Sequence, residues 1–129
     1  MSGTAVVLLA GLLIGHFLGD FTPLSTGRMQ AAKARGRPIG PIVEHALVHT
    51  LFTVAAVAII ARPGISMVAV AGGIQLVTHF QLDWAKGRLS AAQTAFGDMK
   101  RQAYWTVFGL DQLLHCMVLL VIACVVLGA

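Results

Sequence analysis

Apolar residues run through this chain in four long stretches, Ala5–Phe21, Ile42–Ile60, Ile65–Trp84 and Tyr104–Leu127. Each is long enough to cross a bilayer as a helix, which takes about 17–25 residues. The histidines and aspartates within them fall into pairs spaced i,i+4, one pair per stretch: His16/Asp20, His45/His49, His79/Asp83 and Asp111/His115. Every histidine of the chain belongs to one of these pairs. Four residues advance a helix by about 400°, so the two members of a pair share a face one turn apart. The pattern predicts an all-α membrane protein, a four-helix bundle that turns His and Asp side chains inward.

The same positions carry an internal repeat. His16-Phe17-Leu18-Gly19-Asp20-Phe21 closes the first stretch and His79-Phe80-Gln81-Leu82-Asp83-Trp84 the third. A basic loop follows each, then a span that opens on a second ligand-like pair. The chain therefore reads as one transmembrane domain over residues 1–129, a duplicated two-helix hairpin divided at approximately 1–62 and 63–129. Its pseudo-symmetry axis is expected along the membrane normal. Thr26–Arg35 has good helix formers behind a Thr cap, and Gly36, Pro38, Gly40 and Pro41 break it. This segment and Ser90–Ala103 are predicted to form short interfacial helices in the loops.

Composition agrees. The chain is 57% hydrophobic and only 11% charged, against about 25% charged in soluble domains. Its mean hydropathy is +0.84. The first span lacks a basic flank and a small-residue cleavage site, so it does not read as a signal peptide. Four basic residues (Arg28, Lys33, Arg35, Arg37) lie between spans one and two, and four (Lys86, Arg88, Lys100, Arg101) between three and four. The second turn has only Arg62. By the positive-inside rule both long loops are cytoplasmic and both termini outside. That rule already accounts for the basic loops, so no nucleic-acid partner is inferred; the partner is the lipid bilayer. Cys116 and Cys124 read as small apolar residues of the last span.

All eight paired side chains fall in the cytoplasmic half of the spans. An aspartate at the centre of a membrane helix costs about 2.5–3.5 kcal/mol on insertion scales, so it needs a partner. Imidazole plus carboxylate suits zinc, with iron or manganese as alternatives. Eight groups are too many for one tetrahedral ion; two divalent ions with a bridging Asp is the natural count, and one ion with the remaining groups as hydrogen-bond partners of its ligands is the alternative. The competing reading is a metal-free cluster in which His and Asp hydrogen-bond between helices. Gly11, Gly15 and Gly19 form overlapping G-x-x-x-G steps that let another helix approach the His16/Asp20 face, and Gly72 and Gly73 offer similar contact. Glu44 is a candidate proton shuttle, or simply an acid favoured in a first helical turn. Gln112 is a candidate hydrogen-bond partner of a ligand. Arg28, Lys33 and Lys86 are candidates for phosphate or headgroup contact.

At His16-Asp20-Phe21, Lys33, His45, His49, His79-Asp83 and Asp111-Gln112-His115 the chain resembles a family of small bacterial and phage membrane proteins of unknown function. It departs from their pattern at Leu24-Ser25, where they carry Leu-Gln. It is also distantly similar to membrane-bound metal-dependent hydrolases, a related group with comparable His-rich spans. The resemblance implies a bacterial inner-membrane location, metal binding and, less directly, hydrolysis. The leading expectation is a metal-dependent hydrolase acting on a phosphoester or acyl bond of a lipid-like substrate, with metal-bound water as nucleophile. The alternatives are a cation or proton relay and a non-catalytic partner protein with a structural metal site. The glycine-lined face is compatible with a homodimer.

Overall fold

The structure, a computed structural model, describes residues 2–128, and among the described residues it is all helix and connection. Helix α1 (Gly3–Phe21) starts at Ser2, whose hydroxyl accepts from the Ala5 N–H at 3.2 Å. Helix α2 (Gly27–Arg35) has the expected Thr26 cap, accepting from the Met29 N–H at 3.3 Å, and ends at Gly36 with φ of 65°. Helix α3 (Ile39–Ala56) runs on as a π-helical turn, Val57–Ala61. That turn closes on Arg62 at φ of 52°, whose N–H bonds the Val57 carbonyl at 3.0 Å. Helix α4 (Ile65–Ala92), the four-residue α5 (Thr94–Gly97) and α6 (Gln102–Leu127) complete the chain. The four long helices, α1, α3 with its π turn, α4 and α6, are long and apolar enough to cross a membrane.

One expected element differs. Ser90–Ala103 does not form a single helix comparable to α2. Good helix formers after Trp84 carry α4 on to Ala92. Asp98 then makes a tight turn, accepting from the Lys100 N–H through its side chain and from Arg101 through its carbonyl. Only α5 is left between them, so the two loop helices are unlike.

Each long helix carries one buried stripe, and that stripe changes character halfway along. In α1 it is Leu8 and Leu12, then His16; in α6 it is Asp111 and His115, then Leu119, Ile122 and Val126. In α3 His45, His49 and Thr53 give way to Val57, and in α4 Val68 and Ala71 give way to Gln75, His79 and Asp83. The apolar half lies beside the α3–α4 turn, and the polar half beneath α2 and α5. Only 22–33% of the most apolar window of each long helix is buried inside the protein. The remaining surface, including Val7, Ile14, Leu51, Ile59 and Leu113, is exposed and apolar, as lipid contact requires.

Glycines set the closest approaches. A Cβ on Gly15 would lie 2.8 Å from the Phe52 Cβ, and one on Gly19 would lie 2.5 Å from the His49 ring. The glycine ladder of α1 therefore seats α3, as its spacing implied. Gly72 packs on Val54, whereas Gly73 has nothing near it. The tightest contact is on α4, where Gly87 lies flush against the Lys33 carbonyl and the Gly36 backbone and so docks α2. Backbone cannot yield as a side chain can. Gly87→Ala is therefore expected to lower stability by about 1–3 kcal/mol or more. Gly73→Ala should be neutral or stabilising by up to about 1 kcal/mol. Thermal unfolding in detergent checks both, and equal melting temperatures for the two variants would contradict this packing.

Candidate metal centre

The polar stripes of four helices converge. His16 and Asp20 come from α1, His45 and His49 from α3, His79 and Asp83 from α4, and Asp111 and His115 from α6. The five imidazoles form one cluster with His79 at its centre. Its ring centroid lies 3.8 Å from His49, 4.4 Å from His115, 5.2 Å from His45 and 5.9 Å from His16. All five histidines are buried.

Hydrogen bonding divides the cluster into two parts. On one side the Lys33 ammonium lies 2.7 Å from Asp20 Oδ1, 2.8 Å from His45 Nε2 and 3.4 Å from Asp83 Oδ2. Burial alone would lower the Lys33 pKa, but the Asp83 and Asp20 carboxylates outweigh it and hold it above its ordinary value. His45 Nε2 is also 3.0 Å from Asp20 Oδ1, and its Nδ1 is 3.4 Å from the Ser25 hydroxyl. This half is partnered.

The other half is not. His79 Nε2, His115 Nε2, His49 Nε2 and both Asp83 oxygens are buried without a hydrogen-bond partner. His79 Nε2 and Asp83 Oδ2 are 3.4 Å apart but not in bonding geometry. The opposite edges of two of these rings are held. His115 Nδ1 donates to the Asp111 carbonyl at 2.8 Å, and His79 Nδ1 faces the Gln75 side-chain amide at 3.2 Å. With Nδ1 as a donor, His115 has its Nε2 lone pair pointing into the cluster, the arrangement found behind histidine ligands in metal sites. His79 Nδ1 accepts from the Gln75 amide nitrogen, and its Nε2 is freed as a ligand once that amide turns its Oε1 to Nδ1. Two sets bring ligand atoms within 4.8 Å of one another: Asp20, His45, His49 and His79, and His79, Asp83 and His115. The protein thus has buried His/Asp groups with the spacing to hold a metal ion.

The remaining sequence candidates lie around this core. Gln112 bridges His16 Nε2 (3.3 Å) and Asp111 Oδ2 (3.2 Å). Lys86 is 2.7 Å from Asp111 Oδ2. Lys33, expected at a headgroup, is instead only 7% exposed, because Met29, Ala32 and Lys33 form the buried face of α2. Glu44 lies off the cluster with a side chain 43% exposed, paired with Arg28. Gln75 and Ser25 join the site without being candidates from the sequence. Gln75 had a signal, since it stands four residues before His79 and extends the same stripe; Ser25 had none.

A family model of proteins of unknown function, DUF3307, matches residues 8–129. The chain belongs to this family. No curated protein and no solved structure matches it, and neither comparison brings in a hydrolase. For this DUF3307 member the site's chemistry therefore rests on its own geometry. The Lys33 contacts give one direct check. Lys33→Met leaves Asp20 and Asp83 buried without their cation, and removing one partner of a buried pair costs about 3–5 kcal/mol. Unfolding in detergent should show a loss of that order, and a variant as stable as the parent would contradict the placement of Lys33 at the centre of the cluster.

Proposed function

We propose that this protein is a multi-pass membrane metalloprotein with one divalent ion, zinc first and iron or manganese as alternatives, held at His79, Asp83 and His115. The observation that carries the reading is the set of buried side-chain atoms without a hydrogen bond on these three residues, His79 Nε2, His115 Nε2 and both Asp83 oxygens. Leaving them unmade would cost about 1–3 kcal/mol each or more, a cost that a cation removes. One ion is favoured over two. His79 belongs to both candidate sets, and a neutral imidazole has a single lone pair to give. Charge points the same way. Three aspartates against Lys33 and Lys86 leave one net negative charge with neutral imidazoles; one divalent ion makes it +1, and two would make it +3.

Two His and one carboxylate leave coordination positions open to water or substrate, as in catalytic rather than structural zinc sites. This supports a hydrolase in which metal-bound water attacks a phosphoester or acyl bond of a lipid-like substrate. Glu44, turned away onto Arg28, is dropped as the proton shuttle. A translocating relay is disfavoured by the apolar half, where Leu8, Leu12, Val57, Leu119 and Ile122 close the bundle. The basic residues of the loops support an orientation with the α2/α5 end in the cytoplasm of a bacterial cell and both termini outside. The repeated H-F-x-x-D motif supports an ancestral hairpin duplication whose loop helices have since diverged.

Elemental mass spectrometry on detergent-purified protein tests the centre. About one divalent ion per chain is expected, lost in His79→Ala and kept in Glu44→Gln. Two ions per chain would restore the dinuclear count, and none after reconstitution would end the metal reading. A loaded protein that cleaves neither phosphoesters nor acyl esters would end the hydrolase reading alone.

A further inference from the structure

A cavity of about 360 Å³ opens at the α2/α5 end, between α1 and α2 on one side and α4, α5 and α6 on the other. Its floor is Asp20, Lys33 and Gln112, the outer members of the polar cluster. Asp20 is the only acid in the lining, and Lys33 already neutralises it at 2.7 Å. Lys86 stands on the wall. It spends one contact on Asp111 and keeps a side chain 22% exposed, with donors to spare. The rest of the wall is aromatic: Phe21, Phe96, Tyr104 and Phe108, with the Lys86 ammonium 5.9 Å from the Phe108 ring centre. A wall that carries the partly exposed Lys86 ammonium beside aromatic rings suits one molecule with an anionic end and an apolar end.

We propose that this cavity binds an amphiphile with a phosphate-type headgroup, its anion beside Lys86 and Lys33 and its apolar part on Phe21, Phe96 and Phe108. As a substrate site it rests on the metal centre proposed above; as a binding site it stands alone. The anion end reaches the cluster's edge at Asp20 and Gln112, where Gln112 contacts His16. The apolar end leaves between α5 and α6, towards lipid. Free phosphate shares the anion chemistry but not the aromatic contact, and that difference separates the two sources.

The test is isothermal titration of the full chain in phosphatidylcholine nanodiscs, with metal content measured on the same sample. The probes are dihexanoyl phosphatidate, inorganic phosphate and dihexanoyl glycerol. One phosphatidate per chain is expected, bound at least about tenfold more tightly than phosphate, with no binding of the neutral glyceride. Lys86→Gln should weaken phosphatidate about tenfold, since a charge-assisted hydrogen bond is lost. Phe96→Ala should weaken phosphatidate and leave phosphate alone. Equal affinity for phosphate and phosphatidate would overturn the amphiphile. Metal without phosphatidate binding would overturn the proposal and spare the metal centre. Phosphatidate binding without metal would uphold this site and end the metal reading.

Discussion

Charge buried in an apolar bundle must be compensated, and the structure depends on how this is done. Asp20 and Asp83 share the Lys33 ammonium, and Asp111 takes Lys86 at 2.7 Å. Neither lysine lies in the apolar stretches that place the aspartates. Lys33 arrives from α2, folded over the polar end, and Lys86 from the length of α4 beyond Trp84. The pieces that look like connections are therefore what make the polar stripes tolerable. The Thr26 cap, the left-handed Gly36 and the flush contact at Gly87 all hold α2 where Lys33 reaches the carboxylates. Helix α2 acts as a lid that carries a counter-ion.

The compensation is incomplete. Lys33 satisfies Asp20 and His45 but reaches Asp83 only at 3.4 Å, so His79, Asp83 and His115 keep unpartnered atoms. His16, His49 and Gln75 also keep buried atoms without a partner. A cluster built only to glue helices together would pair its buried groups throughout. Here the rings are oriented from behind, by Gln75 and by the Asp111 carbonyl, while their inner edges stay free. Orientation without satisfaction is the physical distinction between a ligand set and a hydrogen-bond network.

What could be read from the chain follows from the range of each signal. The i,i+4 pairs were legible because helical periodicity is local: His79 and Asp83 share a face whatever packs against them. The α1 glycines were legible for the same reason, and Gly19 does meet His49. The positions of Lys33 and Ser25 were not, because both depend on where α2 folds back, a tertiary fact with no sequence period. Glu44 misled by adjacency. Next to His45 in sequence, it is about 100° round the helix and faces Arg28 rather than the cluster. The segment Ser90–Ala103 misled because its helix formers served equally to extend α4.

The switch in each buried stripe has a further consequence. Because all four helices change from apolar to polar at the same depth, the bundle is apolar and closed on one side and polar on the other. Leu8, Leu12, Val57, Leu119 and Ile122 are almost fully buried, and their half presents no buried polar group deeper than Thr53 and Gln75. The cavity that adjoins the cluster lies at the α2/α5 end, beside Lys33 and Asp20. One-sided access suits a site that exchanges ligand with a single compartment or membrane leaflet, and not one that passes an ion through. The lysines that make the carboxylates bearable also stand at that opening, so the groups that stabilise the fold are the first that an incoming anion meets.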